Sequence, residues 1–191
     1  MIKFETERLI IRDPSLSDLA AWHKLLSDPI VMYYLQDIKT RSIEESENNL
    51  KDAVSEAKSA TRSKYFLTIE LKETSAFVGS IGYTVTQETP AGKFAQIGYF
   101  ILENYHNYGY VTEALKAVIR FAFEDDGVYR MEAGCIAENL ASEQVMKKCG
   151  MIKEAQRKSC VWHDGKLKDR VGYRLLKDEW EAIVCASGQS E

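Results

Sequence analysis

One stretch limits the fold more than any other. Phe94 to Leu102 is rich in β-branched and aromatic residues. Val111, Ala114, Leu115, Val118, Ile119 and Ala122 then recur at helical spacing, and after Asp126-Gly127 a second strand-like run covers Tyr129 to Ile136. An apolar stripe one helix long between two strands predicts a strand, helix, strand crossover, which joins parallel strands rather than a hairpin. Upstream, Tyr65 to Leu71, Phe77 to Val85 and Phe94 to Leu102 are separated only by short polar stretches, among them Pro90-Ala91-Gly92. Those three runs predict an antiparallel meander. Together the two patterns predict an α+β domain with a mixed, mostly antiparallel sheet.

The remaining elements follow from the same periods. Arg8 to Arg12 predicts a first strand that stops at Asp13-Pro14, where proline removes a donor and restricts its neighbour. Leu16, Leu19, Ala20, Leu25 and Leu26 predict a helix from Ser15 to the Asp28-Pro29 stop, and a polar helix is expected over Ile43 to Ser59. A shorter helix follows Asn139 and ends at Gly150, before strands around Met151 to Val161 and Arg170 to Leu176. The length of 191 residues fits one domain, expected over residues 1–180 with a C-terminal tail at 181–191.

Charge and cysteine usage narrow the setting. The net charge of −4 argues against a general nucleic-acid binder, so no DNA partner is expected. Cys135, Cys149, Cys160 and Cys185 lack the paired close spacing of a zinc site and read as reduced thiols. The charged first residues carry no signal-peptide core, and no apolar run reaches the roughly 18 residues of a membrane span. A cytoplasmic protein without a membrane partner is the expectation.

The chemistry is expected where the strand ending at Leu102 enters the long helix, through Tyr105-His106-Asn107-Tyr108-Gly109-Tyr110-Val111-Thr112-Glu113-Ala114. The first N–H groups of a helix lack intrahelical partners and sit at its positive end, so a loop entering there can hold phosphate without basic side chains. Gly109 lets backbone approach closely; equally, it makes a tight turn and nothing more. Neither the nucleoside-triphosphate motif nor a three-glycine dinucleotide fingerprint is present. A pyrophosphate carrier such as coenzyme A is the natural remaining ligand.

Here a resemblance becomes specific. Tyr105 to Ala114 resembles the acyl-coenzyme A loop of the GNAT N-acetyltransferases, with His106, Gly109 and Val111 at its first, fourth and sixth places. Thr6-Glu7-Arg8-Leu9-Ile10-Ile11-Arg12, Gln96-Ile97-Gly98-Tyr99, Thr112-Glu113-Ala114, Asn139-Leu140-Ala141-Ser142 and Cys149-Gly150-Met151 are similar to strings of the RimJ/RimL branch, which acetylates ribosomal-protein N-termini. The strings occur in the family's order from about Phe4 to Tyr173.

The resemblance implies the GNAT fold, with a splayed strand pair in its sheet, and an enzyme that transfers acetyl from acetyl-CoA to a primary amine by direct attack in a ternary complex, without a metal. The amides of Asn107, Tyr108, Gly109, Tyr110, Val111 and Thr112 would bind pyrophosphate. The backbone of Phe100, Ile101 and Leu102 would pair with the pantetheine arm as an added strand. Asn139 and Ser142 would lie near the arm and the sulfur, and a backbone N–H in the splayed gap would stabilise the oxyanion. Gln96, Asn139 and Ser142 are the candidate catalytic residues. The alternative is a coenzyme A binding module with little or no transferase activity; a scaffold whose loop is only structural is the third reading. Pairing through a C-terminal strand would make a homodimer.

Departures from the family pattern refine this picture. His106, Asn107 and Tyr108 replace the usual basic or amide residues, so phosphate binding rests on backbone amides. Met146 stands where many relatives carry a tyrosine acid and cannot donate a proton, which leaves Ser142 nearest the leaving thiolate. Gln96 stands where the branch often has a glutamate base, and an amide cannot act as one. A lysine amine with a pKa near 10.4 loses roughly 4 to 5 kcal/mol in being neutral at pH 7, whereas an α-amine near 7.7 to 8.0 loses about 1 to 1.5. The expected acceptor is therefore an α-amine, of a protein N-terminus or of a small molecule.

Plainer roles stand beside these. Asn139 reads equally as a helix N-cap, Ser142 as a first-turn residue and Gln96 as a cross-strand hydrogen-bonder. Glu113 reads as a first-turn acid complementing the helix dipole. His23 and His163 show no serine or cysteine partner at interpretable spacing. Tyr33 and Tyr34 suit an acceptor pocket or the core alike, and Lys147, Lys148, Lys153, Arg157 and Lys158 form a sparse basic cluster.

Overall fold

The computed structural model describes residues 1–188. Eight strands form one mixed sheet in the order β1-β2-β3-β4-β5-β6-β8-β7. The strands are β1 (Lys3–Glu5), β2 (Leu9–Arg12), β3 (Lys64–Leu71), β4 (Phe77–Thr89), β5 (Gly92–Ile101), β6 (Val128–Ile136), β7 (Ile152–His163) and β8 (Lys166–Leu176). Five α-helices accompany them: α1 (Leu19–Ser27), α2 (Ile43–Lys58), α3 (Tyr110–Glu124), α4 (Leu140–Lys148) and α5 (Lys177–Gly188). Among the described residues, no helix is long and apolar enough to cross a membrane. The chain divides into two compact units, one of residues 1–84 with 98–117, the other of 85–97 with 118–191.

In the first unit, β1, β2, β3 and β4 pair antiparallel in sequence order, as a meander should. Helix α2 starts at Ser42, whose hydroxyl accepts from Glu45 N at 3.2 Å, and turns Ser46, Leu50 and Ala53 inward at helical spacing. Leu50 and Ala53 join Trp22 and Leu26 of α1 and Met32 in a buried cluster, with Phe77 and Phe100 packed against it. Phe100 is thus anchored in the core two positions before Leu102, whose N–H donates to Val78 O at 3.0 Å. This packing fixes where the chain leaves β5 for the loop.

In the second unit the expected crossover is present. Lys93 to Gln96 of β5 lie parallel to Val128 to Glu132 of β6, and β6 continues against β8 through Ile136. Both strands run past the parallel ladder, β5 to Ile101 and β6 to Ile136, as expected of a splayed pair. Helix α3 buries Val118, Ile119, Ala122 and Phe123, and the Phe123 ring lies 5.6 Å from that of Trp180 on α5.

Several boundaries differ from the sequence expectation, each for a local reason. Strand β1 was not foreseen, because three residues at a sheet edge carry too few apolar side chains to show a period. The β4–β5 hairpin continues to Thr89 and resumes at Gly92, leaving Pro90-Ala91 as its turn; Gly92 has φ of +127° and Thr89 Oγ1 donates to its carbonyl at 2.8 Å. Strand β8 starts at Lys166 rather than Arg170. Asp164 and Gly165, with φ of +50° and +71°, form a tight turn whose backbone twist matches its flanking strands. The expected tail at 181–191 begins inside α5, and residues 189–191 lie outside the described residues.

Candidate active site

The loop before α3 leaves β5 at Ile101, passes through a short 3-10 turn at Glu103–Tyr105 and exposes residues 106–109. Asn107 and Gly109 both have left-handed backbone, with φ of +66° and +81°. Left-handed residues in a turn are one component of the backbone nests that suit an anion. A Cβ placed on Gly109 would meet only Arg8 Nη2, at 3.6 Å, so conformation rather than crowding selects glycine here. The helical ladder begins with Glu113 N donating to Gly109 O at 3.0 Å, which leaves the preceding amides at the positive end of α3. Tyr110, Val111 and Thr112 stand in that first turn, half-buried.

The other loop residues have tasks of their own. The Tyr108 ring stacks on Tyr110 with centroids 5.6 Å apart, and Tyr105 meets Tyr110 edge-on at 6.3 Å. His106 Nε2 lies 3.3 Å from Ile101 O, bracing the loop against the end of β5. This contact takes one lone pair of a carbonyl expected to face the pantetheine arm, and Leu102 N is already committed to Val78. Glu113 does more than complement the dipole. Its Oε1 accepts from Thr6 Oγ1 at 2.5 Å and Arg8 N at 2.9 Å, and its Oε2 accepts from Arg8 Nε at 2.7 Å.

The second unit holds Asn139, Ser142 and Gln96. Asn139 caps α4, its Oδ1 accepting from Ser142 N at 3.1 Å. The thiol of Cys135 approaches Asn139 O at 3.7 Å, close to the start of α4. Burial pushes the Cys135 thiol pKa up, so it stays protonated and behaves as a small polar packing group. Cys135 is a member of this cluster that the sequence did not single out; only its position four residues before Asn139 could have pointed to it. Met146 is fully buried, in keeping with its lack of a proton to give. Tyr173, on β8, donates to Glu143 Oε1 at 2.6 Å; burial and this carboxylate push the phenol pKa up to about 12.

Gln96 is exposed on β5 and lies in register with Glu132 of β6. The carboxylate absent from position 96 is therefore present one strand away. Glu132 accepts from Arg130 Nε at 2.6 Å, and Arg130 also reaches Glu154. That carboxylate is thus held by Arg130 rather than turned to an acceptor. Sequence spacing could not reveal this neighbour, because it arises from the parallel register.

Elsewhere, His23 does have a serine partner, Ser46, at 2.8 Å, and Ser46 Oγ lies 2.6 Å from Thr40 Oγ1. Ser46 is fully buried, so this is a polar core bridge and not a hydrolytic pair. Tyr33 and Tyr34 meet edge-on at 4.8 Å, with Tyr33 exposed. The basic cluster is largely engaged locally: Lys147 with Glu143, Lys153 with Gln156, and Lys158 with Asp169.

A sheet with one parallel pair, a crossover helix entered through a glycine loop, and an asparagine-capped helix after the second parallel strand define an acyl-coenzyme A dependent N-acyltransferase fold. Residues 8–152 match the model of the acetyltransferase (GNAT) domain, and the chain belongs to this family of acetyltransferases, which use acetyl-CoA. The uncharacterized N-acetyltransferase YnaD of Bacillus subtilis (strain 168) is 30% identical over 175 residues, 92% of this chain and 97% of that protein. The ribosomal-protein-S5-alanine acetyltransferase of Vibrio fischeri superposes with a TM-score of 0.80 at 20% identity, covering 94% of this chain and 99% of that one. The spermidine N-acetyltransferase of Vibrio cholerae, solved with CoA and spermine, gives a TM-score of 0.79 at 14% identity over 92% and 99%.

Proposed function

We propose that this acetyltransferase acts on an amine that is already partly neutral, an α-amine of a protein N-terminus or of a small molecule, rather than on a lysine side chain. The observation that carries the reading is Gln96, an amide at the place of the expected base, with the adjacent Glu132 engaged by Arg130. Without a free carboxylate, the acceptor must supply its own neutral fraction, and an α-amine does so at a cost about 3 kcal/mol smaller than lysine.

In this reading the nest formed by Asn107, Tyr108 and Gly109, with the amides of Tyr110, Val111 and Thr112, holds the pyrophosphate of acetyl-CoA. The left-handed backbone at Asn107 and Gly109 fits such a group, because left-handed turn residues occur in nests where amides rather than basic side chains hold an anion. Phe100, Ile101 and Leu102 flank the pantetheine arm, and Asn139 and Ser142 serve the thioester end. The amine nitrogen bonds to the acetyl carbon, the carbon–sulfur bond breaks, and the Ser142 hydroxyl hydrogen-bonds the departing thiolate while the nitrogen loses its proton to water. The known neighbours support an amine acceptor without choosing its class, one being named for ribosomal-protein alanine and another for spermidine.

Matched peptides carrying either a free α-amine or a free ε-amine test the reading through their acetylation rates. The α-amine peptide should react faster by at least about tenfold at pH 7. An ε-amine preference would overturn the proposal.

A further inference from the structure

Arg8 ties the loop to the turn between β1 and β2 through several contacts within one unit. Its Nη1 donates to Tyr108 O at 3.0 Å, its Nε donates to Glu113 Oε2 at 2.7 Å, and its Nη2 lies 2.7 Å from that same oxygen. The guanidinium carbon sits 4.8 Å from the centre of the Tyr110 ring. Glu113 is fixed in turn by Thr6 Oγ1 and by Arg8 N, so both ends of the bracket are held. Burial alone would raise the Glu113 carboxyl, but the hydrogen bonds from Thr6 and Arg8 outweigh it and hold the group below its ordinary range, as an anion.

Across a trans peptide the carbonyl and the following N–H point in opposite directions. A donor that holds Tyr108 O therefore also aims the Gly109 N–H away from Arg8. Asn107 adopts left-handed backbone, which asparagine tolerates better than other non-glycine residues, and Arg8 holds the carbonyl of the residue that follows it. We propose that Arg8 is a positioning residue for co-substrate binding: it locks the Tyr108–Gly109 peptide with its N–H turned toward the pyrophosphate, while Glu113 neutralises the guanidinium and keeps it off the anion. This rests on the reading of the loop as the pyrophosphate site.

The test compares two acetyl donors, acetyl-CoA and acetyl-pantetheine, which lacks the pyrophosphate. Wild-type enzyme should prefer acetyl-CoA; if it does not, the loop reading fails before any variant is made. Given that preference, Arg8→Gln should raise KM for acetyl-CoA about tenfold, leave kcat within about twofold, and change kcat/KM for acetyl-pantetheine by less than about twofold. Arg8→Lys keeps the charge but cannot span Glu113 and Tyr108 as a fork, so it should show the same rise. Equal losses with both donors, an unchanged KM in Arg8→Gln, or full rescue by lysine would each overturn the role given to Arg8.

Discussion

In the proposed function a single amide on β5, Gln96, sets the choice of acceptor. Gln96 lies in register with Glu132, so a carboxylate introduced at 96 would sit beside a second carboxylate. A carboxylate there would supply the general base that the amide cannot. Gln96→Glu should therefore raise kcat/KM for the ε-amine peptide by on the order of 10²-fold and for the α-amine peptide by much less, read from initial rates with both acceptors. Equal gains for both would show that proton removal does not set acceptor choice. The two loop residues with left-handed backbone, Asn107 and Gly109, illustrate a different limit. The glycine marked the turn in the sequence, but the left-handed asparagine two positions before it showed only in the folded loop.

At helix α4 the observed cap and the proposed thioester role fall on one residue, and they can be separated. Asn139 caps the helix by accepting from Ser142 N, so Asn139→Ala should lower unfolding free energy by about 1 kcal/mol in urea titrations. Asn139→Ser keeps a capping oxygen and should be nearly as stable as wild type. If Asn139 also serves the thioester, the serine variant loses kcat while keeping its urea midpoint; if it is a cap alone, the two quantities fall or persist together. Helix α3 shows how an element joins packing to chemistry. Its stripe from Ala114 to Phe123 is buried, while its first turn is only half-buried beside the exposed loop, so packing and the proposed anion site use different parts of the same helix. The stripe was legible because burial imposes a period of 3.6 residues. The bracket on the first turn was not, because Thr6 and Arg8 lie over 100 positions away in sequence.

For the molecule as a whole, all four cysteines are free thiols, two buried and two exposed. No covalent loop constrains the unfolded chain, so reducing agent should leave the midpoint of thermal unfolding within about one degree, measured by circular dichroism with and without dithiothreitol. A clear drop on reduction would reveal a bond between thiols that stand apart here. The sequence by itself determined the alternation of strands and helices, the crossover, the glycine loop and the family, since each follows from local periodicity or a short contiguous string. Tertiary structure alone decided that Glu132 stands beside Gln96, that the Cys135 thiol meets the Asn139 carbonyl, and that Arg8 braces Tyr108 and Glu113. The reason is physical: register between strands and contacts between distant segments are set by how buried faces pack, and packing leaves no periodic trace at polar positions such as these.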